Sequence, residues 1–244
     1  MKSTIVAYKS DETKTEELAE CYLQTHKASH RYLAYRDIPK FINKFVKGRR
    51  TLDFGSGTGA SAEFLYNLDL DVIGLDVSWN MLEKARSNFP YMKFHHVDDL
   101  TPNGDFDFVF SSFVLLELST KKEIIQYLKK SLSFLKEGGV FIGITGSEHL
   151  YSLSREWVSF NADFEENRNL QAGDIVKLAL KHLEIEFYDY YWRESDYLDC
   201  FKKANLEILK THSPLGFLDE SHSWEDEIAY SPFTVFIAKK TIST

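Results

Sequence analysis

The sequence predicts an α/β fold in which helices cover both faces of a doubly wound, mostly parallel sheet. Between residues 49 and 150, short apolar runs alternate with helical stretches, a rhythm that is typical of parallel sheets. A glycine-rich loop joins the first of these runs directly to a helix. The 244 residues are 43% hydrophobic and 27% charged, which allows a sizeable core in one large domain.

Residues 1–48 are expected to form an N-terminal helical cap. The first helix is predicted over residues 12–28. A second is predicted after Asp37, an N-cap acceptor, because Pro39 suits the first turn of a helix. Its apolar positions repeat at helical spacing and are Ile38, Phe41, Ile42, Phe45 and Val46.

The segment 49–150 is predicted to be the cofactor-binding core, with five strands separated by helices. The strands are expected at residues 51–54, 71–75, 92–97, 106–110 and 140–144. The helices are expected at 60–68, at 79–89 after the N-cap Ser78, and after a capping box of Thr120 and Glu123. Gly138 and Gly139 are expected to end this last helix.

An insertion is predicted over residues 151–194, where the alternation of strands and helices stops. Apolar side chains alternate again between residues 175 and 192, which favours a β-hairpin that turns near Lys181 and His182. Residues 195–244 are expected to return to the core. They are predicted to contain a helix from Ser195 to Asn205 and strands at 206–209 and 233–238.

Composition and charge argue against several classes of function. The formal net charge of −8 disfavours binding of nucleic acid, which needs a basic surface. Cys21 and Cys200 are far apart, so neither a disulfide scaffold nor a metal site is expected. The N-terminal apolar run is too short for a signal peptide, and no run is long enough to span a membrane. We therefore expect a cytoplasmic monomer or homodimer with no membrane partner.

The glycine loop is the most informative segment. Gly55, Gly57 and Gly59 follow a predicted buried strand and precede a helix. Glycines let a ligand approach the backbone, and a helix N-terminus offers free N–H groups. The loop is therefore predicted to bind the phosphate or amino-acid part of a nucleotide-like cofactor.

Two cofactors fit this loop. Gly55, Gly57 and Ala60 satisfy the dinucleotide fingerprint, and Asp76 lies nineteen residues past Gly57, where an acid would bind a ribose. Asp53 distinguishes the two, because an ionised carboxylate facing the loop repels a pyrophosphate and attracts the sulfonium and ammonium of S-adenosylmethionine. The residues favour methyl transfer, and a nicotinamide-dependent oxidoreductase is the alternative.

Three segments match the motifs of a known family. They are LDFGSGTG, with its D-x-G-x-G-x-G loop, GLDVSWNMLEKAR, and FDFVFSSFVLLEL followed by LSFLKEGGVFIGI. Through them the sequence resembles the class I S-adenosylmethionine-dependent methyltransferases, over roughly residues 30–150 and the last two strands. The resemblance implies a Rossmann-like seven-stranded sheet with an antiparallel last strand, and methyl transfer to an O, N or C atom by in-line displacement.

The resemblance also implies how the cofactor is held. Asp76 would accept hydrogen bonds from both ribose hydroxyls. Ser111 would lie under the methionine, and Arg36 would either pair with its carboxylate or lie in solvent. The methionine end and the ribose edge would rest on Asp53, Gly55, Ser56, Gly57, Thr58 and Gly59.

The adenine would bind between the second and third strands of the core. Asp98 is favoured to bind its amino group, with Asp99 or His96 as alternatives. Val77, Trp79 and Met81 would cover the ring, although Met81 suits the core equally well.

The acceptor pocket is expected to come from the parts outside the common core. His149 and Glu117 are the candidate general bases, which are needed only for an alcohol or a protonated amine; each is equally consistent with a structural role. Aromatic side chains of the cap and insertion would close over a flat acceptor or form a small core of their own. These are Tyr32, Tyr35, Trp157, Phe160, Tyr188, Tyr190, Tyr191 and Trp192.

The acceptor class follows by elimination. The chain has no D/N-P-P-Y/F run and no Pro-Cys dipeptide, which disfavours methylation of adenine, glutamine or cytosine C5. Its acidic charge disfavours tRNA and rRNA. A small-molecule acceptor is therefore predicted, with a protein side chain as second choice. A cofactor-binding protein without catalytic activity is the remaining alternative.

Overall fold

The structure, a computed structural model, describes residues 5–8, 19, 29–181 and 185–241. Apart from Ala19, the helix predicted over 12–28 lies outside these residues. In chain order, the described strands are β1 (Ile5–Tyr8), β2 (Arg50–Phe54), β3 (Asp71–Asp76), β4 (Lys93–His96), β5 (Phe106–Ser112), β6 (Leu135–Gly146), β7 (Phe160–Asn161), β8 (Ile175–Leu180), β9 (Ile185–Tyr190), β10 (Leu206–His212) and β11 (Phe233–Lys240). The described α-helices are α1 (Ser29–Tyr35), α2 (Ile38–Phe45), α3 (Ala60–Tyr66), α4 (Trp79–Asn88), α5 (Lys121–Phe134) and α6 (Glu194–Lys203).

The central sheet has seven strands in the order β10-β11-β6-β5-β2-β3-β4. Strands β2 to β6 pair in parallel, and β11 runs antiparallel to both β6 and β10. This confirms the predicted fold class. Because β2, β3 and β5 are parallel neighbours, the loops that follow them meet at one edge of the sheet, where ligands bind in open α/β folds.

The buried strands and capped helices explain why the core elements form where they do. In β2 every residue after Arg50 is buried, as expected for a parallel strand covered on both faces. Thr120 and Glu123 form the predicted capping box of α5: the Glu123 N–H donates to Thr120 Oγ1 at 3.1 Å and the Thr120 N–H to Glu123 Oε2 at 3.2 Å. The Ser78 side chain caps α4.

Some predicted boundaries were wrong. Helix α5 ends at Phe134, and Gly138 and Gly139 lie within β6. They lie in an irregular part of the pairing between β5 and β6. Between the pairs Phe106–Leu135 and Phe108–Val140, one residue of β5 lies opposite four residues of β6. Gly138 has a φ of 72°, which glycine adopts without strain.

One helix start and one predicted helix cap also differ from the prediction. Helix α6 begins at Glu194, after the N-cap Arg193, and not behind Ser195. At α2 the Asp37 side chain makes no capping hydrogen bond. Its carboxylate instead pairs with Arg36 at 3.0 Å and with Lys40 at 3.2 Å.

A second sheet of order β1-β9-β8-β7, here named the cap sheet, packs over the carboxyl edge of the core. It contains the predicted hairpin, since β8 and β9 pair antiparallel. The turn predicted near Lys181 and His182 falls partly on residues 182–184, which lie outside the described residues. Strand β1 was not predicted, because the segment 1–48 was expected to be helical; it pairs in parallel with β9. None of the helices in the described ranges is long and apolar enough to cross a membrane.

Candidate active site

A cavity of about 420 Å³ lies at the carboxyl edge of the central sheet. One end is lined by the glycine loop and by the residues that follow β3 and β4. The other end, here named the apolar chamber, lies under the cap sheet; its apolar lining is Phe113, Leu116, Leu150, Phe160, Leu178, Leu180, Phe187 and Phe233. The volume is within the range of small-molecule sites, which are mostly apolar with a few polar groups.

The glycine loop lines this cavity with its backbone. Gly55, Gly57 and Gly59 have φ values of 81°, 51° and 92°. Residues other than glycine rarely adopt this backbone region. A Cβ at Gly55 would lie 2.3 Å from the Val114 side chain, whereas one at Gly57 would meet nothing within 4 Å. Gly57 is therefore the point at which a ligand can lie directly against the loop.

Asp76 fixes the geometry of this loop. Its Oδ2 accepts from the Gly57 N–H at 2.8 Å, and its Oδ1 accepts from the Ser78 N–H at 2.9 Å. The carboxylate lines the cavity, and each of its oxygens can accept a further hydrogen bond. This arrangement suits a pair of ribose hydroxyls.

Asp53 lies behind the loop and not on the cavity surface. It is fully buried, and Ser61 Oγ donates to its Oδ2 at 2.6 Å, while its Oδ1 has no hydrogen-bond partner among the described residues. Burial, together with the charge of Asp76, raises the pKa of Asp53 to about 7, although the hydrogen bond from Ser61 and the charge of Arg31 lower it. This corrects the expectation of a fully ionised carboxylate facing the ligand.

Of the residues predicted to bind the adenine, Val77 and Met81 line the cavity, together with Val97, which sequence reasoning did not single out. The Asp98 side chain is 80% exposed and is not in the cavity lining of the described residues. Asp99 is also exposed.

The third adenine candidate, His96, is buried away from the cavity. Its Nε2 lies 3.0 Å from the Val77 carbonyl oxygen, and its ring stacks on Trp79 with centroids 4.4 Å apart. It therefore supports the loop after β3 and does not line the adenine end.

Ser112 lines the cavity, whereas Ser111, which was predicted to lie under the methionine, is not in the lining of the described residues. Ser111 is buried, with its Oγ 2.8 Å from Tyr127 Oη. Tyr127, which sequence reasoning missed, lines the cavity and donates to the Phe54 carbonyl oxygen at 2.7 Å. A tyrosine within a helix carries no sequence signal for such a position.

Arg36 is not in the cavity lining of the described chain. Its guanidinium pairs with Asp37 at 3.0 Å and with Glu220 at 2.8 Å, and donates to the Leu215 carbonyl oxygen at 2.8 Å. Arg31 of α1 lines the cavity instead. The charge of Arg31 lowers the pKa of Asp53, so this guanidinium lies within electrostatic reach of the glycine loop.

The two candidate bases have different positions. Glu117 lines the cavity from the end of a short 3-10 helix, Leu115–Glu117. His149 is exposed, with its ring 5.3 Å from that of Tyr230, and is not part of the cavity lining found in the described residues.

Of the predicted aromatic residues, Phe160 lines the cavity, and the others are absent from the cavity lining in the described part of the chain. Tyr32 donates to Glu220 at 3.0 Å, and Tyr35 Oη lies 2.9 Å from Ser112 Oγ, behind the lining. Three pack into the core: Trp157 and Trp192 donate to the backbone carbonyls of Leu150 and Leu118, and Tyr191 is buried beside Tyr151. The alternative of a structural role fits these positions.

The doubly wound sheet, the glycine loop and the acid at the end of β3 define an α/β protein that binds a nucleoside-containing cofactor. Residues 51–139 match a family model described as a methyltransferase domain.

Named relatives agree with this match. N-demethylindolmycin N-methyltransferase of Streptomyces griseus is 26% identical over 180 residues, which are 67% of this chain and 72% of that protein. The tRNA (carboxymethyluridine(34)-5-O)-methyltransferase of Saccharomyces cerevisiae is 30% identical over 118 residues, 47% of this chain and 41% of that protein. The crystal structure of an S-adenosylmethionine-dependent methyltransferase from Clostridium acetobutylicum matches with a TM-score of 0.63 at 18% identity, over 93% of this chain and 98% of that one.

Residues 51–139 therefore resemble a methyltransferase domain, in agreement with the resemblance found in the sequence, and the fold of the chain is that of the Clostridium acetobutylicum S-adenosylmethionine-dependent methyltransferase.

Proposed function

We propose that this enzyme transfers the methyl group of S-adenosylmethionine to an O, N or C atom of a small-molecule acceptor. The supporting observation is the continuity of one cavity, which runs from the glycine loop to the apolar chamber under the cap sheet. A cofactor on the loop and an acceptor in the chamber would then share one enclosed space.

The residues at the loop fit this cofactor. The open space beside Gly57 leaves its backbone accessible, and the Asp76 carboxylate lies next to it. We assign the ribose hydroxyls to Asp76 and the adenine face to Val77, Met81 and Val97. The loop residues Ser56 and Thr58 would lie along the cofactor with Gly55 and Gly57, while Gly59 starts α3 without lining the cavity.

Arg31 replaces Arg36 as the residue proposed to pair with the methionine carboxylate. It lines the cavity, and its charge acts on Asp53 behind the loop. A guanidinium binds a carboxylate in a bidentate geometry. Arg36 is already paired with two carboxylates elsewhere.

The bound cofactor supplies an electrophilic methyl group, and its sulfur leaves as a neutral thioether when the acceptor attacks in line. The chain aligns the two reactants and excludes water, which accounts for much of the acceleration in such displacements. Glu117 is the proposed base for an acceptor that must lose a proton, because it lines the cavity. His149 is not proposed for this role.

The relatives support two kinds of acceptor. The Streptomyces protein is named for a small molecule and the yeast protein for a tRNA. The net charge of −8 disfavours an RNA phosphate backbone, and the apolar lining of the chamber suits an uncharged body. A small molecule is therefore the better candidate.

The test is a methyl-transfer screen with tritiated S-adenosylmethionine. The protein is incubated with metabolite extract, with tRNA and with protein extract in separate reactions, and labelled products are identified by mass. We expect label in a small molecule, and none with a Gly57→Val variant, because valine strains a backbone with positive φ. Label only in tRNA or protein would contradict the acceptor class, and no label in any fraction would favour a non-catalytic protein.

A further inference from the structure

Asp189 lies at a position of the cap sheet where the strand pattern requires an apolar side chain. Side chains alternate between the two faces of a strand, and the face over the chamber carries Leu178, Leu180 and Phe187. Asp189 shares the face of Phe187, lies opposite Val176 in β8, and is only 8% exposed. Burial of a carboxylate is costly unless hydrogen bonds or an opposite charge compensate for it.

The carboxylate of Asp189 lines the cavity and can contact a ligand there. On the protein side, Tyr151 Oη donates to its Oδ2 at 3.4 Å. Burial, together with the charge of Asp189, raises the pKa of Tyr151 well above its ordinary value, so that this hydroxyl remains a neutral donor. A carboxylate has about four acceptor sites, so a donor on a ligand can bind it alongside the contacts that it makes within the protein.

His30 is a second polar residue in the lining of the same cavity. Its ring lies 4.9 Å from that of Phe160, and its Nδ1 is buried without a hydrogen-bond partner in the described part of the chain. Burial and the charge of Arg31 lower the pKa of His30 to about 3. The imidazole is therefore neutral at physiological pH and does not oppose a cation near it.

We propose that Asp189 makes the chamber selective for acceptors that carry an amine on an apolar body. The aromatic and aliphatic lining would bind the body, and the carboxylate would bind the ammonium or N–H group as a charge-assisted hydrogen bond. This inference rests on the proposed function, because it concerns the acceptor end of the same cavity. Arg31 also lines the cavity, and preference for an anionic acceptor is the competing outcome.

The experiment measures binding to protein saturated with S-adenosylhomocysteine by titration calorimetry. Three probes share a phenyl ring and a two-carbon spacer: 2-phenylethylamine, 2-phenylethanol and 3-phenylpropanoate. We expect the amine to bind at least about tenfold more tightly than the alcohol, and the carboxylate most weakly. Equal binding of amine and alcohol, a preference for the carboxylate, or no binding of any probe would overturn the inference.

Two substitutions test whether the preference for the amine comes from Asp189. Asp189→Asn is expected to reduce amine affinity about tenfold and to change alcohol affinity less than about threefold. Glu186→Gln is the matched control, because Glu186 lies on the opposite face of β9 and pairs with Lys177 at 3.0 Å; its amine preference should equal that of the unchanged protein. An amine preference that survives Asp189→Asn would overturn the inference.

Measuring S-adenosylhomocysteine binding by each variant distinguishes a variant that has lost its fold or its cofactor site from one that has lost only its preference for amines. If Asp189→Asn no longer binds S-adenosylhomocysteine, Asp189→Ser takes its place with the same expectation, and the selectivity of the unchanged protein still decides. Failure of the unchanged protein to bind S-adenosylhomocysteine would contradict the proposed function. Binding of S-adenosylhomocysteine without amine selectivity would overturn only the role of Asp189.

Discussion

Asp76 is the residue on which the proposed cofactor site depends most. It is held by the backbone of both the glycine loop and the start of α4, so its carboxylate is positioned before any ligand arrives. Preorganisation of this kind reduces the entropy that binding would otherwise cost.

Asp76→Ala is expected to weaken S-adenosylhomocysteine binding by about 1–3 kcal/mol, because charged hydrogen bonds to the ribose are lost. Titration calorimetry measures the effect. Asp71→Ala is the control, since Asp71 is an exposed carboxylate at the opposite end of the same strand and should leave the affinity unchanged. Equal affinities for Asp76→Ala and the unchanged protein would contradict the ribose role.

Asp53 makes stability depend on pH. Its folded pKa of about 7 lies above the ordinary value of 3.8, so between these values the folded state binds more protons than the unfolded state. The contribution of Asp53 to the free energy of unfolding is therefore fully present below the unfolded pKa and is lost as the pH rises through about 7. Replacement by a neutral isostere removes this dependence.

Asp53→Asn is therefore expected to gain stability relative to the unchanged protein between pH 5 and pH 8. Denaturant unfolding of both proteins at the two pH values measures their free energies of unfolding. The difference between the free energies of the two proteins removes the contribution of the other titrating groups. A difference that stays constant, or that moves in the opposite direction, would show that Asp53 has an ordinary pKa.

At the scale of the element, helix α1 and the residue after it carry two arginines with separate roles. Arg31 lies in the cavity lining, and Arg36 joins α2 to the segment around Glu220. The sequence alone could not show which of the two arginines lines the cavity, because that depends on the position of the helix over the cavity.

Arg31→Ala is expected to weaken S-adenosylhomocysteine affinity about tenfold, through loss of the pair with the methionine carboxylate. Arg36→Ala should leave that affinity unchanged and lower the free energy of unfolding by about 1–3 kcal/mol, because Asp37 and Glu220 lose a half-buried partner. Calorimetry and denaturant unfolding measure the two quantities. If Arg36→Ala weakened S-adenosylhomocysteine binding and Arg31→Ala did not, Arg36 would be the residue that pairs with the methionine carboxylate.

The core elements could be predicted because local signals determine them. The β2 strand, the loop of Gly55 to Gly59 and the capping box at Thr120 each follow from residues adjacent in sequence. Strand β1 could not be predicted, because its pairing with β9 joins segments far apart in the chain.

Side-chain positions at the site were harder to predict than the elements. A one-residue difference in register placed Val97, and not Asp98, at the cavity. Aromatic type predicts burial but not direction, so Trp157 and Trp192 were expected at the acceptor and lie in the core. Asp189 gave a signal that was not used, since it is an acidic residue at an inward position of an alternating strand.

At the scale of the whole molecule, the central sheet supplies the cofactor end of the cavity and the cap sheet covers the other end. The sheets meet where the loops after β2, β3 and β5 converge. The proposed cofactor site therefore depends on the central sheet, and the proposed acceptor site depends on the cap sheet.

The most direct test of the account is thermal unfolding with increasing S-adenosylhomocysteine or NADH. Binding raises the melting temperature by an amount that depends on ligand concentration relative to the dissociation constant. We predict a concentration-dependent rise with S-adenosylhomocysteine, no rise with NADH, and no rise with either ligand for Gly57→Val. A rise with NADH and none with S-adenosylhomocysteine would contradict the account.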